Sequence, residues 1–297
     1  MIKQAICLIT CGDLERIKCF VKQFKRHPEI NIYIHYDIAH VADELKPEFE
    51  EALYQLDGVK LVSSIYRTYR YSMNLVAAEL YLYLEALKDP ENSTFHLFSE
   101  TDYLLTSPCY FCDYFKKYKD FDFITYIHDD SRLASSEYRN VLNDYINQKY
   151  GLRSEFLVKA CQQKSLCRLT VEKLIYGYLE SFNELMNIQE VFDNLIGAVD
   201  ECLIPNIIFH CIGDNSMPCK RYINWHGSNG DHPNVLKYSD YINAEQRKHK
   251  CYVDIAILQQ LIVRKIDCFN EDSMKFLEVF RAKFYDIEAK QREIHQI

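Results

Sequence analysis

Up to about residue 130, short apolar runs alternate with segments whose apolar positions recur every three to four residues. Ala5–Thr10 is a nearly continuous apolar run, the pattern of a strand buried on both faces. Gly12-Asp13 makes a turn, and Asp13 is placed to cap a helix starting near Leu14. Ile17, Phe20, Val21 and Phe24 share one face of that helix, which His27-Pro28 ends. Ile30–Tyr36 alternates apolar and polar residues and closes on His35-Tyr36-Asp37, and Val59–Ser63 reads as a third strand. Ser72–Leu87 predicts a helix with Leu75, Val76, Glu79, Leu80 and Tyr83 along one side. Phe95–Ser99 and Phe121–Ile127 complete the strands. Strands alternating with helices of this length predict an α/β fold with a mostly parallel sheet covered on both faces.

The second half is richer in helical spacing. Ser135–Tyr150 and Thr170–Asn187 carry it, Ile204–Cys211 is apolar, and Arg221-Tyr-Ile-Asn-Trp225 reads as a short strand before a loop of Gly, Asn and Asp. Asp272–His295 predicts an amphipathic helix with Leu277, Phe280, Phe284 and Ile287 in one stripe. Its mixed charges favour packing on the domain over binding a membrane. No repeat and no Gly/Pro/Ser-rich linker interrupts the chain, so one domain over residues 1–297 is expected.

Composition narrows the classes. With 48% hydrophobic residues among 297, the chain can bury a sizeable core. A net charge of −8 argues against a nucleic-acid surface, which needs a basic stripe. No apolar run reaches the roughly 18 residues of a membrane span. The opening ten residues fit a buried strand better than a signal peptide, so reduced thiols in a cytoplasm are the expectation for the 12 cysteines. Most of these lie in apolar runs, and Cys109-Tyr-Phe-Cys112 is a lone CxxC without the second pair of a zinc ribbon.

Several chemistries lack their signatures. No G-x-G-x-x-G follows the first strand, no P-loop is present, and no G-x-S-x-G marks a hydrolase elbow. His226 and His232, without a third ligand nearby, read as loop histidines. The informative segment is Phe95-His-Leu-Phe-Ser-Glu-Thr-Asp102-Tyr-Leu-Leu-Thr-Ser-Pro108, in which a strand-like run ends in two acids, Glu100 and Asp102. Open α/β sheets bind ligands where strand C-termini run into loops.

Six segments, in order, resemble the core-2/I-branching β-1,6-N-acetylglucosaminyltransferase family, which includes peptide O-xylosyltransferases. Ile34-His35-Tyr36-Asp37 is similar to that family's I-H-V-D, and Tyr71-Ser72-Met73-Asn74-Leu75-Val76 stands in its W-G-G-x-S-x-V stretch. Leu97-Phe98-Ser99-Glu100-Thr101-Asp102-Tyr103 resembles L-S-G-x-D-Y/F-P, and Asp200-Glu201-Cys-Leu-Ile-Pro-Asn206 resembles D-E-x-x-x-x-T. Arg221-Tyr-Ile-Asn-Trp225 with His232-Pro233 is similar to R-Y-I-D-W…H-P, and Leu261-Ile-Val-Arg264-Lys265-Ile-Asp267 to L-F-A-R-K-F-D. The matches reach from residue 1 to about 268. The family's Trp-Gly is Tyr71-Ser72 here, Leu104 replaces a proline, and Tyr150–Val199 lacks the G-x-x-W-W segment.

The resemblance implies a GT-A-like (Rossmann-like) fold, with residues 1–130 as the nucleotide-sugar half and 131–297 as the acceptor and catalytic half. It implies inverting transfer from a UDP-sugar, N-acetylglucosamine first and xylose second, to a glycan or glycolipid acceptor. Single displacement needs a base for the acceptor hydroxyl, and the family's base falls on Glu201. A glutamate carboxylate is ordinarily ionised at neutral pH. Charge on the departing diphosphate needs cations, which the family supplies as side chains instead of a metal. Lys265 and Arg264 match its R-K pair, and a further basic residue is expected within Arg247-Lys248-His249-Lys250, taken as Lys250. His35 and Asp37 fall at the uridine or ribose, Asp102 at the donor sugar, and Glu100 and Trp225 at the acceptor, where an indole face can stack on a sugar ring. No cofactor and no metal are expected. Two alternatives stand beside this reading: a metal-dependent transferase using Glu100 and Asp102 as a degenerate D-x-D, and an inactive sugar-binding relative in a polysaccharide assembly system. Eukaryotic relatives carry a Golgi anchor and this chain shows none, so a bacterial-type cytoplasmic enzyme is expected, with peripheral association at the inner face of the membrane left open.

Overall fold

The computed structural model describes residues 1–24, 27–37, 41–68, 72–128, 144, 158–178, 199–213, 215–224, 233–245, 254 and 256–295. They form two compact units that interleave along the chain: Met1–Gly12, Pro28–Phe98 and Tyr118–Cys219 make the first, and Asp13–His27, Ser99–Lys117 and Lys220–Ile297 the second.

The first unit is built on a seven-stranded sheet. Its strands are β1 (Lys3–Thr10), β2 (Ile30–Tyr36), β3 (Val59–Ser63), β4 (Asn92–Phe98), β6 (Asp122–Phe123), β9 (Ser165–Cys167) and β10 (Ser216–Met217), in the order β10-β6-β9-β4-β1-β2-β3. The block β3-β2-β1-β4 is wholly parallel, and β9 runs antiparallel to both its neighbours. All seven residues of β2 are buried, its polar positions included, as a central parallel strand requires. Gly58 turns the chain into β3 with φ +81°, a left-handed conformation that costs glycine least. A separate antiparallel pair joins β7 (Tyr126–His128) to β8 (Val158–Ala160). The run Phe121–Ile127 is therefore two short strands in two sheets.

Helix α3 (Met73–Leu87) packs on β1, β2 and β4, while α2 (Lys46–Tyr54) lies against β3. Good helix formers fill α3, and Met73, Val76, Leu80, Tyr83 and Leu87 bury one stripe of it. Beyond β9 come α5 (Arg168–Glu172) and a π-helical turn at Lys173–Tyr178. Next is α6 (Val199–Ile207), whose Val199, Leu203, Ile204 and Ile207 join the α3 core. Of the expected helix Thr170–Asn187, residues 179–187 lie outside the described residues, as does all of Ser135–Tyr150 except residue 144.

One charge pair stands inside this core. Lys164, beside β9, places its Nζ 2.8 Å from Glu79 Oε1 on α3 and donates to Gln162 O at 2.9 Å, with both charged side chains at 0% exposure. Burial pushes the Glu79 carboxyl above its usual range while Lys164 pulls the other way.

The second unit holds α1 (Leu14–Lys22), β5 (Asp102–Leu104), α4 (Pro108–Lys117), β11 (Arg221–Tyr222), α7 (Tyr238–Glu245), β12 (Ile262–Arg264) and α8 (Glu271–His295). Asp13 caps α1 as expected, accepting from Arg16 N–H at 2.8 Å. The three strands pair as β11-β12-β5, parallel and then antiparallel. Phe276, Leu277, Phe280 and Phe284 of α8 pack with Tyr241 of α7 and Val263 of β12. Among the described residues, no helix is long and apolar enough to cross a membrane.

Removing one partner of a buried pair strands the other charge. Lys164→Met should lower unfolding free energy by about 3–5 kcal/mol, and adding Glu79→Leu should return most of it; urea titrations of the two variants check this.

Candidate active site

Four parallel strands in the order β3-β2-β1-β4 reverse their winding at β1/β4, so their C-terminal edge is where an open α/β sheet takes a ligand. Asp37, just past β2, donates its N–H to Thr10 O at 2.9 Å, keeping it on that edge beside the end of β1. Its buried carboxylate accepts from Thr68 Oγ1 at 3.3 Å. His35 is buried one turn of the pleat earlier, stacked on Tyr66 at 5.9 Å. Its Nε2 accepts the Tyr66 N–H at 3.1 Å, so the ring carries its proton on Nδ1. Burial lowers the His35 pKa to about 4, against the pull of Asp37, and the ring is neutral at neutral pH.

In the same unit, Asp200 and Glu201 open α6. Acids in a first turn gain from the helix dipole, but the two side chains meet different surroundings. Asp200 is buried, and its pKa rises to about 7, first through burial and then through the neighbouring Glu201 charge, with Lys164 opposing. Glu201 stays about a quarter exposed, and Lys159 Nζ lies 3.0 Å from its Oε2. Asn206 supports this contact from one turn along α6. It donates to Val158 O at 2.7 Å and accepts the Val158 N–H at 2.9 Å, which pins β8, and with it Lys159, to the helix.

The second unit gathers the other charged candidates. Asp102 opens β5 with its side chain at 0% exposure. Its Oδ2 accepts the Ser99 N–H at 2.8 Å and Ser99 Oγ at 3.3 Å, closing the turn that carries Glu100. Arg221 Nε from β11 stands 3.6 Å from Oδ1, and Arg264 Nη1 from β12 stands 4.0 Å from Oδ2. The antiparallel register places Arg264 opposite Asp102. Lys265 follows at φ +71°, a left-handed conformation costly for a residue with a Cβ. Its carbonyl accepts from Leu236 N–H at 2.9 Å, and Ile266 N–H donates to Thr101 O at 3.0 Å, so bonds on both sides hold the bend. Backbone strain kept in place by its surroundings is common at functional sites.

The structure thus brings His35 and Asp37 to one strand edge, and Asp102, Glu100, Arg264 and Lys265 to one turn and strand pair. Trp225 and Lys250 lie outside the described residues. Sequence reasoning missed Lys159 and Arg221 as charge partners and Asn206 as a support. For Asn206 a signal existed: it occupies the threonine position of the D-E-x-x-x-x-T resemblance.

The Core-2/I-Branching enzyme family model matches residues 5–250. Among solved structures, the apo-form glycosyltransferase GlyE of Streptococcus pneumoniae TIGR4 is similar at 13% identity and TM-score 0.42, over 96% of this chain and 64% of that one. Mouse xyloside xylosyltransferase 1, apo form, is similar at 11% identity and TM-score 0.39, over 82% of this chain and 93% of that one. No curated protein matches. The chain belongs to the Core-2/I-Branching enzyme family.

Asp200 ties this site to pH. Its folded pKa of about 7 lies above the ordinary 3.8, so the stability it contributes is complete below about pH 4 and drains away as pH rises to about 7. Asp200→Asn should raise the melting midpoint at pH 8 relative to the parent while changing it little at pH 4; melts at both pH values check this.

Proposed function

We propose that the chain is an inverting, metal-independent transferase that moves a sugar from a UDP-sugar to a hydroxyl of a glycan or glycolipid. The observation that carries this reading is the cationic bend at Arg264-Lys265. Arg264 ends β12 next to an Asp102 carboxylate already engaged by Ser99 and the arginines, and Lys265 follows it in strained backbone. Arg264 Nη1 is buried and has no hydrogen-bond acceptor among the described residues, a donor suited to a phosphate oxygen.

In the reaction, the acceptor oxygen attacks the anomeric carbon while its proton passes to a Glu201 carboxylate oxygen. The bond from the anomeric carbon to the β-phosphate oxygen breaks, and the electron pair leaves with UDP. Arg264 and Lys265 meet the charge that develops on the diphosphate. Lys159 fixes the position of the Glu201 carboxylate, which is open enough to reach a substrate. Asp37 at the strand edge receives a hydroxyl of the ribose or an N–H of the uracil, and Asp102 acts by holding the arginines. N-acetylglucosamine is the sugar we favour, since it gives the resembled family its name.

Two variants separate binding from turnover. Glu201→Gln should cut transfer by about a hundredfold or more while leaving UDP affinity unchanged. Lys265→Gly, which relieves the positive φ, should keep or raise the melting midpoint yet weaken UDP binding about tenfold to a hundredfold, the worth of one charge-assisted hydrogen bond. Donor turnover with a panel of nucleotide sugars and calorimetry with UDP measure both. An undiminished rate in Glu201→Gln removes it as the base.

A further inference from the structure

Helix α4 opens at Pro108, and Cys109 and Cys112 stand one turn apart on it. Ser107 caps this helix, its Oγ accepting from Tyr110 N–H at 3.2 Å, and Glu288 of α8 holds Ser107 through its N–H and its hydroxyl at 3.1 and 2.9 Å. Cys109 therefore sits in a first turn, where backbone N–H groups lack helical acceptors and negative charge is favoured. From the same unit, His27 reaches both sulfurs. Its Nε2 lies 3.3 Å from Cys109 Sγ, and its Nδ1 lies 3.6 Å from Cys112 Sγ. Cys109 is exposed and Cys112 is buried behind it.

A neutral imidazole has one donor nitrogen and one acceptor nitrogen. Placed with one thiol at each nitrogen, the ring can take a proton from one sulfur while donating to the other. Helix geometry puts the two Cα atoms about 5 Å apart, inside the roughly 4.4–6.8 Å window of disulfides. None of these three side chains enters the transfer step proposed above.

We propose that Cys109 and Cys112 form a redox-active dithiol, with His27 taking the proton of Cys109, that exchanges with low-molecular-weight disulfides. The Cys109 thiolate attacks one sulfur of the disulfide R–S–S–R; that S–S bond breaks, and the first RS⁻ leaves and takes up a proton. Cys112 then gives up its proton and attacks the Cys109 sulfur. The intramolecular disulfide forms, and the second RSH departs. The two thiols lose two electrons, and the external disulfide gains them.

The full chain is equilibrated with reduced and oxidised glutathione at a series of ratios, quenched by alkylation, and mapped by mass spectrometry. Cys109–Cys112 should be the first disulfide to appear. Cys112→Ser should stop at one glutathione on Cys109, and Cys109→Ser should acquire neither product. At neutral pH, His27→Gln should slow alkylation of Cys109 by about a hundredfold, the range of proton transfer to a positioned base, with an unchanged melting midpoint. The proposal is overturned if Cys109 reacts no faster than exposed Cys11, or if His27→Gln leaves its rate unchanged. A disulfide that forms elsewhere first also overturns it, as does one-to-one zinc uptake that needs His27 and both sulfurs and blocks oxidation. Should either cysteine variant fail to fold, the His27→Gln rate decides. UDP binding is read in parallel, so failure of the transferase reading is told apart from failure of this one.

Discussion

A carboxylate taken fully out of water must be matched by donors and cations, because the desolvation of a lone charge costs several kcal/mol. Asp102 is such a group, and its partners come from both near and far in the sequence: Ser99 three residues before it, Arg221 on β11 and Arg264 on β12. Satisfying that one charge draws the turn after β4, a short antiparallel ladder and a parallel edge strand into one arrangement. The arrangement aligns Arg264 with Asp102 in register and leaves Lys265 to turn the chain through a left-handed bend. The cations proposed to meet the diphosphate therefore hold their places because a buried acid requires them.

The first unit uses burial to divide the labour of neighbouring acids. Asp200 and Glu201 are adjacent in one helical turn, yet one faces the core and keeps its proton to about pH 7, while the other faces outward against Lys159. Below them the Lys164–Glu79 pair carries charge into the same core that α3 and α6 share. Asn206 links strand to helix with two hydrogen bonds, so a lysine 42 residues away in sequence becomes the partner of Glu201. Polar groups that are buried and satisfied specify one arrangement among many that an apolar core would tolerate.

Much of the parallel sheet was legible because its strands are local events. Ile30–Tyr36, Val59–Ser63 and the Asp13 cap needed only runs, alternation and one capping side chain. Helix α4 was not anticipated, although Pro108 is well suited to a first helical position. The amphipathic signal of α2 is weak because Leu53 is its one buried residue. The candidate site was legible only in part. Motif order suggested Glu201, Asp37, Arg264 and Lys265, but the burial of Asp102 depends on a ladder with a strand about 160 residues later, which no local pattern reveals. His27 and the CxxC are likewise separated by 82 residues, so spacing alone left the cysteines isolated.

The central claim is that fixed cationic side chains, with no bound ion, receive the diphosphate of the donor. Calorimetric titration of UDP into the full chain, once in EDTA and once with added Mn²⁺, tests it without knowledge of the acceptor. The account predicts the same dissociation constant in both buffers; binding that appears only with Mn²⁺ would contradict it.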